Sequence, residues 1–205
     1  MMKSIFDAVM ERRAGQLIEQ LGAWLPAEGP LLDLGSGTGH LSARLERELG
    51  LEVITADVSD IHVLGPPPVM FTDGVLPFEQ GRFSAALLIF VLTYPNDPAR
   101  ILAEAARVTR GPIILVQSIY SGRLGYAWLR VREFLWTMVG FHAARFLGYV
   151  ASDARFTMHP RRFYSAQELR RDLAAAGLRI QSRLERPVLP GGLLVTATWI
   201  ASHDE

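Results

Sequence analysis

The chain contains no cysteine. That removes disulfide scaffolds, thiolate zinc sites and cysteine nucleophiles together. Lysine is almost as scarce. Lys3 is the sole example, so apart from it there is no Schiff-base or phosphate-loop lysine. Charge of one sign is not in excess: Lys+Arg and Asp+Glu both number 21, leaving no bulk positive field to hold a nucleic-acid backbone. Long apolar runs are missing too. The longest uncharged stretch, Pro187 to His203, is broken by Pro190, Gly191 and Gly192, and is too short to span a bilayer. The opening residues carry Lys3, Asp7, Glu11, Arg12 and Arg13 and so lack the apolar core of a signal peptide; a soluble, cytoplasmic protein is expected.

What is present is a chain of 205 residues, 49% hydrophobic and 20% charged, which excludes a disordered or low-complexity polymer. A chain of this length buries roughly 70% of its unfolded surface, enough for a core without staples. Its patterning alternates. Phe6 to Trp24 repeats apolar residues at helical steps, and Pro30 to Leu34 is a short apolar run closed by glycines. His40 to Leu49 is helical again. Leu51 to Ala56, Val69 to Thr72, Phe83 to Leu92 and Ile113 to Gln117 read as strands, with the amphipathic stretch Pro98 to Val108 before the last. Short strands separated by helices predict a parallel sheet wound by right-handed crossovers.

Beyond residue 118 the pattern shifts. Ile119 to Val150 is aromatic-rich and helical in period, and a helical cap over 119–160 is expected within one domain covering 1–205. Ser165, with Glu168 three residues on, opens a capped helix that ends at Gly177. Leu178 to Arg186 and Leu193 to Ser202 read as an antiparallel pair, because the connection between them is short.

Function concentrates in Leu31-Leu32-Asp33-Leu34-Gly35-Ser36-Gly37-Thr38-Gly39-His40, where a strand runs into glycines at alternate positions and then a helix. Glycine serves where φ is positive or where a ligand must approach the main chain, and the helix start offers unpaired N–H groups. The spacing is G-x-G-x-G rather than the G-x-G-x-x-G of dinucleotide enzymes, and Asp33 precedes it. A pyrophosphate gains nothing from that carboxylate, whereas an ammonium or sulfonium does. Asp57 ends the second strand, where a carboxylate can accept from ribose hydroxyls. Asp73, in Thr72-Asp73-Gly74, follows the third and could accept from an adenine amine.

These motifs, with Ala106-Arg107-Val108-Thr109-Arg110-Gly111-Pro112-Ile113-Ile114 and the late Arg162-Phe163-Tyr164-Ser165, resemble class I S-adenosylmethionine-dependent methyltransferases. Within that family they are most similar to the type 11, ubiquinone/menaquinone-methyltransferase-like group. The resemblance implies a Rossmann-like, doubly wound α/β fold with a seven-stranded sheet, order 3-2-1-4-5-7-6, the last strand antiparallel. It implies S-adenosyl-L-methionine as cofactor, with Asp33, Gly35, Ser36, Gly37 and Gly39 at its methionine part. Asp57 would take the ribose and Val58 the adenine face. Asp73 with Gly74 would meet the adenine amine, and Phe90 would line the cleft. Two positions depart from the family pattern: Phe83-Ser84 stands for Phe-Asp, and Arg110-Gly111-Pro112 for Pro-Gly-Gly.

Each of these residues has a plainer reading as well: a tight strand–helix turn for the glycines, a turn or helix cap for Asp57 and Asp73, a structural acid for Asp33. Candidate acceptor-binding residues are Tyr94, Tyr120, Arg132 and His142, against packing or solvation. His40 is expected at the surface or behind the ligand-lining residues, and His62 in solvent. No histidine spacing suggests a metal. The apolar arc spanning Leu124 to Val139 is extra core, a lid over an apolar acceptor pocket, or a peripheral membrane contact. Methyl transfer to a small, lipophilic acceptor is the leading expectation. The rivals are a non-catalytic methyltransferase-fold subunit and an NAD-dependent oxidoreductase.

Overall fold

Leu31 and Leu32 are adjacent in sequence and face opposite sides of a sheet, as the two-residue repeat of a strand requires. In the computed structural model, which describes residues 2–135, 160–188 and 194–203, that repeat sorts the core into two clusters. The strands are β1 (Leu31–Leu34), β2 (Val53–Asp57), β3 (Val69–Met70), β4 (Ala85–Ile89), β5 (Ile113–Tyr120), β6 (Tyr164–Ser165), β7 (Leu178–Pro187) and β8 (Leu194–His203). The helices are α1 (Met2–Leu21), α2 (His40–Leu49), α3 (Pro98–Val108), α4 (Gly122–Leu135) and α5 (Ala166–Ala175). Leu31, Leu87, Ile114 and Val116 pack with Leu21 of α1 and Leu45 of α2. Leu32, Leu34, Leu88 and Leu115 pack on the other side with Ile101 and Leu102 of α3 and Leu169 and Leu173 of α5.

The sheet order is β3-β2-β1-β4-β5-β8-β7, the seven-strand order that the family resemblance implies. β8 is antiparallel to both of its neighbours, and the pairs from β3 across to β5 are parallel. One strand was not expected. β6 pairs with Ile119 and Tyr120, at the end of β5 that β4 does not reach, while β8 covers the opposite edge of β5 throughout. Paired on both edges, Ile119 and Tyr120 extend β5 past Gln117 rather than opening a helix. α4 begins at Gly122, and residues 136–159 lie outside the described residues, as does the candidate His142.

Along α4, Leu129 is buried, whereas Leu124, Trp128, Val131, Phe134 and Leu135 are exposed. Among the described residues no helix is long and apolar enough to cross a membrane. α5 carries the predicted capping box: Ser165 Oγ accepts from the Glu168 N–H and Glu168 Oε2 from the Ser165 N–H.

The two departures from the family pattern meet one another at the amino ends of β4 and β5. Arg110 donates to Ser84 Oγ at 3.0 Å. A Cβ on Gly111 would lie 2.1 Å from the Ser84 carbonyl oxygen, so glycine is required there by close packing. Both positions lie at the edge of the sheet opposite the loops described next.

Candidate functional site

In this topology the chain works outward from β1 to β2 and β3, then returns to β4 on the other side of β1. The carboxyl ends of β1 and β4 therefore diverge into a crevice, the usual ligand position in such sheets. A cavity of about 550 Å³ lies there, within the size range of small-molecule sites. Its lining includes Asp33 within β1 and Gly35, Ser36 and Gly37 after it, Asp57 at the end of β2 and Val58 after it, and Phe90, Val91 and Tyr94 after β4.

Asp33 is an inward-facing strand residue on the side covered by α2, so burial was forced on it by the pleat. It is 2% exposed and accepts a short bond from Ser42 Oγ of α2. Burial pushes its carboxyl up to about 6, the Ser42 bond opposes that rise, and the nearby Asp57 charge adds to it. Between about pH 4 and 6 the folded chain therefore holds a proton that the unfolded chain releases. Stability from this group is present at low pH and lost as pH rises through 6. Asp33→Asn removes the titration. Denaturant melts should show the variant gaining on wild type by up to about 3 kcal/mol from pH 4 to pH 8; parallel curves would refute the assignment.

Asp57 knits the two loops together. Its Oδ2 accepts the Gly37 N–H at 2.9 Å, and its Oδ1 accepts those of Val58 at 2.7 Å and Ser59 at 3.2 Å. A carboxylate has about four lone-pair sites, so Oδ2 retains one for a ligand hydroxyl. Gly37 has φ 58° and no atom within 4 Å of where a Cβ would stand, which leaves its backbone open to the cavity. Gly39 serves differently. With φ 77° it caps α2, and a Cβ there would fall 2.4 Å from the Leu64 carbonyl oxygen. It does not line the cavity.

Ser36 is oriented by a chain of two bonds. His62 Nδ1 lies 2.7 Å from the Pro66 carbonyl oxygen, which can only accept, so Nδ1 carries the proton. In the neutral ring Nε2 then accepts from Ser36 Oγ, 2.8 Å away. His62 is thus held by partners rather than simply solvated. His40 is buried, not at the surface: Phe6 packs edge-on to it, Nδ1 is 2.9 Å from Thr38 Oγ1, and Nε2 is 3.6 Å from Asp7 of α1.

Phe90 takes φ 60°, a left-handed conformation that is costly for a bulky residue. Its N–H is bonded to the Val116 carbonyl at 2.7 Å, and the Arg13 guanidinium stacks 4.8 Å from its ring centroid. Asp73 also has positive φ, 55°, in an exposed turn closed by the Val75 N–H and Thr72 carbonyl. Neither Asp73 nor Gly74 lines the cavity; the buried Phe71, just before Thr72, does. The same motif is tied down by α3, where Glu104 accepts from the Leu76 N–H and Arg107 donates to the carbonyls of Leu76 and Phe78.

Of the acceptor-binding candidates among the described residues, only Tyr94 borders the cavity. Tyr120 donates to Glu168 at 3.2 Å and meets Tyr126 edge-to-face, and burial raises its pKa. Arg132 is exposed on α4. The lining also holds residues that the sequence motifs did not single out: Met10, Arg13, Ala14 and Leu17 of α1, Asn96 before α3, and Arg161. The α1 set follows the i, i+3, i+4, i+7 spacing of one helix face, the only signal available for it.

Comparisons with known proteins bear on this geometry. Residues 6–183 match the family model described as a methyltransferase domain. An uncharacterized methyltransferase of Mycobacterium tuberculosis H37Rv is 35% identical over 109 residues, covering 49% of this chain and 43% of the relative; the chain thus spans less than half of the curated relatives it matches. The geranyl diphosphate C-methyltransferase of Streptomyces coelicolor A3(2), solved with Mg2+, geranyl diphosphate and S-adenosyl-L-homocysteine, superposes with a TM-score of 0.62 at 15% identity, over 94% of this chain and 79% of that one. The [4+2]-cyclase SpnF gives 0.64 at 17% identity, over 94% and 81%. Identities this low establish a shared fold, and the two names differ in chemistry, so function must be argued from the site. With a family match spanning most of its length, the chain belongs to the methyltransferase domain family.

Proposed function

We propose that this protein is an S-adenosylmethionine-dependent methyltransferase acting on a small, fairly apolar acceptor in the cytoplasm. The observation that carries the reading is the joint between Asp57 and Gly37 at the crevice of the sheet. It supplies, side by side, a carboxylate with spare acceptor capacity and an open backbone. Those residues fit the cofactor: Oδ2 of Asp57 would take a ribose hydroxyl and the exposed Val58 would lie against the adenine. The loop Gly35-Ser36-Gly37 would lie along the amino-acid part, with the buried Asp33 carboxylate facing its ammonium.

When bound, S-adenosylmethionine supplies a methyl group on a sulfonium, which leaves as a neutral thioether once the acceptor's electron pair takes the methyl. The protein's share is placement and exclusion of water, and alignment of that kind is worth on the order of 7–11 kcal/mol. Phe90 and Tyr94, at the end of β4, and the α1 face lie where an acceptor would be held. Calorimetric titration with S-adenosyl-L-homocysteine tests the reading. Micromolar binding is expected, with NADH giving no heat and no rise in melting temperature. Silence at millimolar S-adenosyl-L-homocysteine, or preference for NADH, would end it.

A further inference from the structure

The charges that line the cavity are sorted by position. Its acids, Asp33 and Asp57, stand at the carboxyl ends of β1 and β2. Among the described residues its two arginines come from elsewhere, Arg13 from α1 and Arg161 from the segment leading to β6. Neither arginine forms an ion pair with a carboxylate among the described residues. The contrast with Arg162 is informative. That side chain reaches Asp172 at 3.0 Å and lies over the Tyr164 ring, so it is committed to structure. Both of these neighbours have N–H groups on the Thr93 carbonyl, which fixes Arg161 to the loop that carries Tyr94. Arg13 is held by its stacking on Phe90.

Two arginines with no carboxylate partner among the described residues, one stacked on Phe90 and one anchored through its backbone, stand beside a largely apolar wall and make a receptor for an anion on an apolar body. A guanidinium binds carboxylate or phosphate through paired N–H donors and is weakly hydrated, so it binds well in a partly dry site. We propose that the methyl acceptor is an amphipathic acid whose carboxylate or phosphate is taken by Arg161 and Arg13 while its apolar part lies against Phe90 and the α1 face. This rests on the methyltransferase reading of the same cavity and names its substrate class.

The test uses the full chain saturated with S-adenosyl-L-homocysteine and titrated with hexanoate, hexyl phosphate and 1-hexanol. At least one anion should bind about tenfold or more tightly than the alcohol, a difference that one charge-assisted pair supplies. Arg161→Gln and Arg13→Gln should each erode that preference, with thermal melts confirming that each variant is folded. Equal affinity for acid and alcohol, or a preference that survives both substitutions, overturns the proposal. It is also overturned if Arg13→Gln weakens S-adenosyl-L-homocysteine but not 5′-methylthioadenosine, since the guanidinium then serves the cofactor's own carboxylate. Failure of wild type to bind S-adenosyl-L-homocysteine sinks the underlying reading as well, and so is distinct from these outcomes.

Discussion

Asp57→Ala is expected to lower affinity for S-adenosyl-L-homocysteine by 100-fold or more. The argument is one of counted bonds. A ligand hydroxyl on Oδ2 makes a charge-assisted hydrogen bond, worth about 1.5–3 kcal/mol. The same substitution also releases the Gly37 N–H, which Asp57 holds at 2.9 Å, and the amides of Val58 and Ser59. The glycine loop and the loop after β2 then keep Ser36 to His62 as a side-chain link but lose the one through Asp57, and a looser loop must be ordered at the ligand's expense. Together these exceed the roughly 2.7 kcal/mol that 100-fold represents. Asp57→Asn separates the two contributions. Its oxygen can keep the Val58 and Ser59 amides, but its NH2 then faces the Gly37 N–H, donor against donor. It should fold nearly as well as wild type and still bind at least tenfold more weakly. Calorimetry alongside thermal melts of the free proteins decides. A folded Asp57→Ala protein binding within threefold of wild type would remove Asp57 from the cofactor site.

The residues that could be placed in advance are those whose backbone does the work. Gly35 and Gly37 mark a strand-to-helix turn by composition alone, and Asp57 follows at the end of the next apolar run, so two walls of the cavity were legible, while the strand order came from the family resemblance. α1 was legible as a helix but not as a wall. Met10, Ala14 and Leu17 repeat with the period of any core-facing helix, and nothing in that period distinguishes a face packed on sheet from a face bordering a cavity. β6 was invisible because two residues cannot show a strand alternation; its pairing depends on β5 outrunning β4. The stretch from Thr72 to Phe78 shows a different division. Asp73 stands in an exposed turn, whereas Leu76 and Phe78 just after it are held through their carbonyls by Arg107 and buried against α3. A pattern in the sequence records whatever constrains it, and packing constrains as firmly as a ligand.

Gly39 and Gly37, two residues apart in one loop, should fail in opposite ways when each gains a methyl group. Gly39→Ala puts a Cβ 2.4 Å from the Leu64 carbonyl oxygen. That oxygen is backbone, and its segment is pinned where the Val63 and Leu64 N–H groups bond the Thr38 carbonyl at 3.0 and 3.3 Å. The clash cannot be relieved by a side-chain rotation. Left-handed strain of about 1–2 kcal/mol and overpacking of about 1–3 kcal/mol act together, so a loss of about 3 kcal/mol is expected, lowering the melting temperature by roughly 6–12 °C for a domain of this size. Gly37→Ala suffers only the conformational strain, because open space surrounds its Cβ position. Yet that space belongs to the cavity, so its methyl group should cost about tenfold in S-adenosyl-L-homocysteine affinity through the volume it takes and the backbone it covers. Melting curves and calorimetry on the pair give a crossed result: a larger drop in stability for Gly39→Ala, a larger drop in affinity per degree lost for Gly37→Ala. If the two variants changed stability and binding in the same proportion, the division of the loop into one glycine that supports α2 and one that faces the ligand would be wrong.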